Sequence, residues 1–251
     1  MKNTTIKTII LLCSIVLLSS CASSKKMIYF QGTTTPENTE ALLSYEPKIQ
    51  AGDILNIHVS AIDAEAAIPF NLYEGTGATN VKPITYLVNF EGTINFPVLG
   101  KLKVTGFTTK EVTETMTKTL SDYIKNPIVN IRFTNFKVTV LGEVKSPGSY
   151  AVTSERLTVI EALGLAGDLT IQGKRKSVLL VREQDGKRNF ITIDLTSKAL
   201  FNSPYYYMAQ NDVLYVEPNK TKLNSSVVGS NTGVILSSVS ILITLITLLT
   251  R

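Results

Sequence analysis

The 251-residue chain has no tryptophan, a single histidine (His58) and only two cysteines, Cys13 and Cys21. With no cysteine in its central stretch, His58 has too few companion ligands for a zinc site, and no metal is expected. There is no phosphate-cradling glycine loop and no serine-centred nucleophile elbow, so no cofactor is expected either. Charged residues make up 18% of the chain and Lys and Arg are scattered, so the net charge of +5 does not point to nucleic acid. The carboxylate pairs Asp63/Glu65 and Glu183/Asp185 fall in polar stretches that read as solvated loops rather than acid–base machinery. Catalysis has no residues to rest on, and the protein is not expected to be an enzyme.

What the chain does have is an apolar segment near each end, at residues 6–18 and 234–249. The first follows Lys2 and includes Lys7, and it ends in Ser19-Ser20-Cys21. It is too short for a bilayer core of about 30 Å, which needs roughly 20 residues, and so reads as a secretory signal over residues 1–20. Leu18-Ser19-Ser20-Cys21 resembles the bacterial lipobox, which makes Cys21 the expected lipidation site and the first residue after cleavage. Cleavage also removes Cys13, so no intramolecular disulfide is expected and the fold must rest on apolar burial. Loss of Lys2 and Lys7 lowers the formal charge from +5 to +3. Ala22 stands where an aspartate would signal inner-membrane retention; by resemblance to lipoprotein sorting in Gram-negative bacteria, this favours the outer membrane.

Residues 21–44 are polar and rich in turn formers, and read as a flexible tether. From Tyr45 the pattern becomes α+β. Ile54-Leu55-Asn56-Ile57-His58-Val59 partly alternates as a half-buried strand does, and Tyr86–Phe90 and Thr93–Val98 flank Glu91-Gly92 as an expected hairpin. Thr108 with Glu111 is a capping box, and Val112, Met116, Leu120 and Ile124 share one face of the helix it opens. Strands are expected around residues 129–133, 138–141, 178–181, 191–194 and 213–216, with one further helix between a second capping box, Thr158/Glu161, and Gly167.

Four segments occur in a set order: Tyr45…Ile49-Gln50-Ala51-Gly52-Asp53-Ile54-Leu55-Asn56-Ile57; Gly92-Thr93-Ile94-Asn95-Phe96-Pro97-Val98-Leu99-Gly100 with Val104-Thr105-Gly106; Val140-Leu141-Gly142-Glu143-Val144-Lys145-Ser146-Pro147-Gly148-Ser149-Tyr150; and Asn211-Asp212-Val213-Leu214-Tyr215-Val216. Together they resemble the outer-membrane polysaccharide export family. The resemblance implies a polysaccharide export domain at 45–135 and one soluble-ligand-binding β-grasp domain at 136–218. It also implies a ring-forming homo-oligomer, often an octamer, that passes capsular or exopolysaccharide from an inner-membrane copolymerase partner. The alternative within the resemblance is a glycan-binding or scaffolding lipoprotein without a pore of its own. The glycines and Pro147-Gly148 have local explanations as turn formers, and serve as fold markers rather than ligand contacts.

Tyr205, Tyr206 and Tyr207 are candidate glycan contacts, since their rings stack on sugar faces, although adjacent tyrosines equally suit core and edge positions of a sheet. After a linker at 219–232, residues 233–250 are expected to form a membrane helix. At 100° per residue, Ser237, Ser240, Thr244 and Thr247 fall within roughly an 80° arc, a candidate pore or helix-packing face. Membrane lipid is therefore an expected partner at both ends.

Overall fold

A computed structural model describes residues 27–32, 46–75, 81–184, 186–228 and 232–249. The signal segment and the lipobox with Cys21 lie outside the described residues. In chain order the elements are β1 (Ile54–Ser60), α1 (Ala64–Ala67), β2 (Tyr73–Glu74), β3 (Lys82–Pro83), β4 (Tyr86–Leu87), β5 (Thr93–Phe96), β6 (Gly100–Lys103), α2 (Thr109–Leu120), β7 (Ile128–Phe133), β8 (Lys137–Gly142), β9 (Gly148–Ala151), α3 (Val159–Leu165), β10 (Gly173–Gln184), β11 (Lys187–Ile193), β12 (Val213–Pro218), α4 (Lys220–Val228) and α5 (Thr232–Leu249). The fold is α+β, as the alternating and helical periodicities require.

The first domain is built on an antiparallel sheet in the order β4-β1-β7. Leu55, Ile57 and Val59 alternate inward along β1. Helix α2 starts at the Thr108 capping box, where the hydroxyl accepts from Glu111 N–H and the Glu111 carboxylate accepts from Thr108 N–H. Its stripe of Val112, Met116 and Leu120, continued by Ile124, is buried with the strand residues in one core. The expected hairpin is corrected. Glu91-Gly92 does turn the chain, but β4 pairs with β1 while β5 pairs with β6 through a turn at residues 97–99. Across that turn Asn89 N–H donates to Thr93 C=O, but the Gly92 carbonyl is taken by the N–H groups of Val104 and Thr105, and β4 and β5 form no ladder.

The second domain is a five-stranded sheet in the order β11-β10-β12-β8-β9, antiparallel except for the central β12–β8 pair. Helix α3 begins at the Thr158/Glu161 capping box and ends before Gly167, whose φ of +74° reverses the chain. The helix buries Val159, Ala162 and Leu163 with Val138, Val140, Val178, Leu180, Leu214 and Val216 of the sheet. Phe133 at the end of β7 packs against both cores and so sits where the two domains meet.

Three stretches depart from expectation. Within the segment read as a tether, residues 27–32 dock on the second domain: Phe30 N–H donates to Leu195 C=O, Gln31 N–H to Thr196 C=O, and Lys198 N–H to Gln31 C=O. The Phe30 ring lies 5.1 Å from that of Phe201. Within the apolar run Met27-Ile28-Tyr29-Phe30, an island in a polar segment, the rings of Tyr29 and Phe30 supply the reason, since they pack against the core of the second domain. Residues 219–232 are not a plain linker, because Lys220–Val228 is helical, with Asn219 accepting from Lys222 N–H at its start.

The C-terminal helix forms over Thr232–Leu249, but the expected membrane span is corrected: among the described residues no helix is long and apolar enough to cross a membrane. Eighteen residues rise about 27 Å, short of a core of about 30 Å. Seven of the eighteen are Thr, Gly or Ser, which dilutes the apolar length further.

Candidate functional site

The junction of the two domains is held by polar side chains rather than by burial alone. Asn135, in the two-residue step from Thr134 to Phe136, accepts from Ile54 N–H at 2.9 Å and donates through Nδ2 to Gly52 C=O at 3.1 Å. Its own carbonyl accepts from Gln210 Nε2 at 2.8 Å, and Gln210 Oε1 accepts from Lys137 N–H at 2.8 Å. One amide side chain therefore grips the first domain while its backbone grips the loop before β12. This fixes the angle between domains through geometry, since each bond is directional.

That loop is anchored by a buried ion pair. Arg182 on β10 donates through Nε to Asp212 Oδ1 at 3.0 Å and through Nη2 to Oδ2 at 2.6 Å, with the carboxylate 0% and the guanidinium 8% exposed. Arg182 Nη2 also reaches Tyr207 C=O at 2.7 Å, and Ala209 N–H donates to Asp212 Oδ2. Burial pushes the Asp212 carboxyl up, and Arg182 pulls against that shift.

The loop carries the three tyrosines, and it separates them. Tyr207 is buried, with Arg156 5.6 Å from its ring centroid. Tyr206 stacks between Phe201 and Tyr207. Tyr205 is half-buried and lies over Arg182 at 5.8 Å; it alone of the three lines an open cleft of about 1330 Å³ between the domains. Across the cleft stand Lys48, Gln50, Lys110 and Glu114 of the first domain. A planar ring, amides, cations and carboxylates around a wide cleft can hold a hydroxyl-rich chain by stacking and hydrogen bonding.

Asp53 sits at the same junction, 1% exposed, accepting from Gln50 N–H at 2.7 Å. Burial pushes its carboxyl up to about 6, opposed by the Gln50 bond. A carboxyl raised in the folded state holds its proton more tightly there than when unfolded. Its contribution therefore favours folding below the ordinary carboxylate range and is lost as pH rises from about 4 through about 6. Asp53→Asn is expected to flatten the stability profile between pH 4 and 7 and to raise stability at pH 7 by up to about 3 kcal/mol, the rise from 3.8 to about 6 converted at 1.36 kcal/mol per unit. Denaturant midpoints at pH 5 and 7 check this; a wild-type protein more stable at pH 7 than the variant overturns it.

Two apolar surfaces have no cover among the described residues. On the outer face of the second sheet, Leu141, Phe190 and Tyr215 are exposed, in register with the half-buried Leu179, Val181 and Val213. On α5, Val234, Ile235, Leu236, Val239, Leu242 and Leu245 are all more than 45% exposed. Contiguous apolar surface of this kind marks contact with lipid or with another chain. The hydroxyls of Ser237, Ser240, Thr244 and Thr247 each donate to the carbonyl four residues earlier. They are satisfied inside the helix, so this face can meet another helix without a water layer.

Neither the Arg182–Asp212 pair nor the Asn135–Gln210 link is visible as a motif, because each joins residues 30 or 75 positions apart. The Met27–Phe30 island was visible as four apolar residues in a polar stretch.

The polysaccharide biosynthesis/export protein family matches residues 43–134, and the SLBB domain matches residues 137–189. The EPS I polysaccharide export outer membrane protein EpsA of Ralstonia solanacearum is 27% identical over 183 residues, covering 69% of this chain and 48% of that protein. The protein of the same name from Ralstonia nicotianae is 32% identical over 148 residues, covering 54% of this chain and 38% of that one. The chain thus spans about half or less of the length of these curated relatives. The chain therefore carries a domain of the polysaccharide biosynthesis/export protein family followed by an SLBB domain, each matched where the fold has its own core.

Proposed function

We propose that the protein is a ring-forming lipoprotein that exports capsular or exopolysaccharide across the outer membrane, anchored by lipid on Cys21 with both domains in the periplasm. The observation that carries this reading is the pairing of the two family domains with an apolar helix that nothing among the described residues covers. Copies of α5 pack side by side through Ser237, Ser240, Thr244 and Thr247, and the exposed sheet face of the second domain meets a neighbouring copy. An octamer is the ring the family resemblance favours. An inner-membrane copolymerase delivers the polymer, and Tyr205 contacts it in the cleft between domains. Transport needs no bond made or broken, in keeping with the transport role in the names of the family and its relatives.

One observation favours a second reading, a glycan-binding or scaffolding lipoprotein without its own pore: no described helix is long and apolar enough to cross a membrane. Deleting residues 232–251 in an exporting strain separates the two. The conduit reading expects surface polysaccharide to be lost while the shortened protein stays in the membrane fraction through its lipid. Export at the wild-type level overturns it and leaves the scaffold. A detergent-extracted protein that is monomeric by light scattering overturns the ring.

A further inference from the structure

The docked strap at residues 27–32 and the start of the C-terminal helices lie at one end of the second domain. Tyr29 Oη donates to Asp168 Oδ1 at 2.6 Å, and the Tyr29 ring lies 5.5 Å from the Arg175 guanidinium, whose Nη1 reaches the carbonyls of Thr170 and Gly173. From the other terminus, Asn219 N–H donates to Gln172 C=O at 2.7 Å, and Lys222 meets Glu143, whose second carboxylate oxygen accepts from Thr170 Oγ1. The strap before the first domain and the segment after β12 are thus both tied to the turn at residues 168–173. At the tip of that turn Ile171 is 68% exposed, and on the strap Met27 and Ile28 are 41% and 54% exposed.

We infer that this pole, with Ile171, Ile28 and Met27 at its tip, inserts into the headgroup region of the phospholipid leaflet that holds the lipid on Cys21. The inference rests on the lipoprotein reading above. Met27 is six residues after Cys21, and six residues span at most roughly 20 Å, so a strap docked at the pole keeps the pole within that distance of the anchored lipid. Apolar side chains presented there leave water for the headgroup boundary, as in proteins that lie on membranes without crossing them. Lys145, whose backbone N–H donates to Asp168 C=O, flanks the apolar tip, with a stem that can lie along the acyl boundary while its ammonium group reaches phosphate. A second copy of the chain is the competing occupant.

The test uses the full chain purified from expressing cells and reconstituted in vesicles of phosphatidylethanolamine and phosphatidylglycerol. Ile171→Cys carries an environment-sensitive fluorophore, and Ile62→Cys, 84% exposed on the first domain, serves as control. The expected result is a blue-shifted, brighter emission from position 171 that spin-labelled headgroups quench, and an unshifted, unquenched emission from position 62. Emission from 171 matching that from 62 overturns the inference. A blue shift at 171 that headgroup spin labels do not quench places another protein surface there, and also overturns it. The intact mass of the same sample reports separately on Cys21: absence of acyl groups overturns the lipoprotein reading, whatever the fluorophore shows.

Discussion

Arg182→Met is expected to lower the stability of the second domain by about 3–5 kcal/mol, the usual cost of removing one partner of a buried ion pair. Methionine fills much of the space of the arginine stem, so lost packing is a minor part. The cost comes from Asp212, a fully buried carboxylate that keeps one N–H bond from Ala209 but loses three charge-assisted bonds from the guanidinium. The Tyr207 carbonyl loses its donor as well. With Arg182 gone, the force that lowers the Asp212 carboxyl is gone, so the raised direction strengthens and the variant's stability falls as pH rises. Adding Asp212→Asn removes the charge and keeps an acceptor for Ala209, so the double variant recovers part of the loss. Denaturant unfolding at pH 5 and 8 measures both effects. A single variant within about 1 kcal/mol of wild type at both pH values sinks the argument.

Gly142→Ala is expected to be about as damaging, roughly 3 kcal/mol or more, through a different mechanism. Gly142 closes β8 with a φ of +87°, and an added Cβ would lie 2.1 Å from the Val216 carbonyl oxygen. That oxygen accepts the Glu143 N–H at 2.9 Å, on the parallel β8–β12 pair at the centre of the sheet. The backbone cannot yield without breaking the ladder that brings the two halves of the domain together. Gly186→Ala separates strain from clash, since its φ is +69° but nothing lies within 4 Å of an added Cβ. It is expected to cost about 1 kcal/mol. Equal effects at the two positions, read as shifts in melting temperature, would show that the clash at Val216 contributes nothing.

Much of the fold was legible because its signals are local. The capping boxes at Thr108/Glu111 and Thr158/Glu161 and the stripe Val112, Met116, Leu120 involve residues within one or two turns of each other. Where strands had to choose partners, local pattern was not enough. The Glu91-Gly92 turn suggested β4 with β5, yet β4 found β1 more than thirty residues earlier. The candidate site was less legible again. Three adjacent tyrosines looked equivalent in sequence, and only the packing of the loop buries Tyr207, stacks Tyr206 and turns Tyr205 to the cleft. The apolar island at Met27–Phe30 was readable as something to bury, but not the surface that receives it.

By itself the sequence determined the α+β class, the capped helices and the four ordered segments that resemble the export family, and it marked a C-terminal helix without settling that it falls short of a membrane span. Each depends on residue type and near-neighbour spacing, where backbone geometry and hydrophobic periodicity act directly. Tertiary structure decided the rest: the Asn135–Gln210 joint between domains, the Arg182–Asp212 pair under the tyrosine loop, and the meeting of the strap at 27–32 and the segment from Asn219 at the turn near Ile171. Those contacts join residues tens of positions apart. Their free energy comes from burial and directed bonds that exist only once the chain has closed on itself.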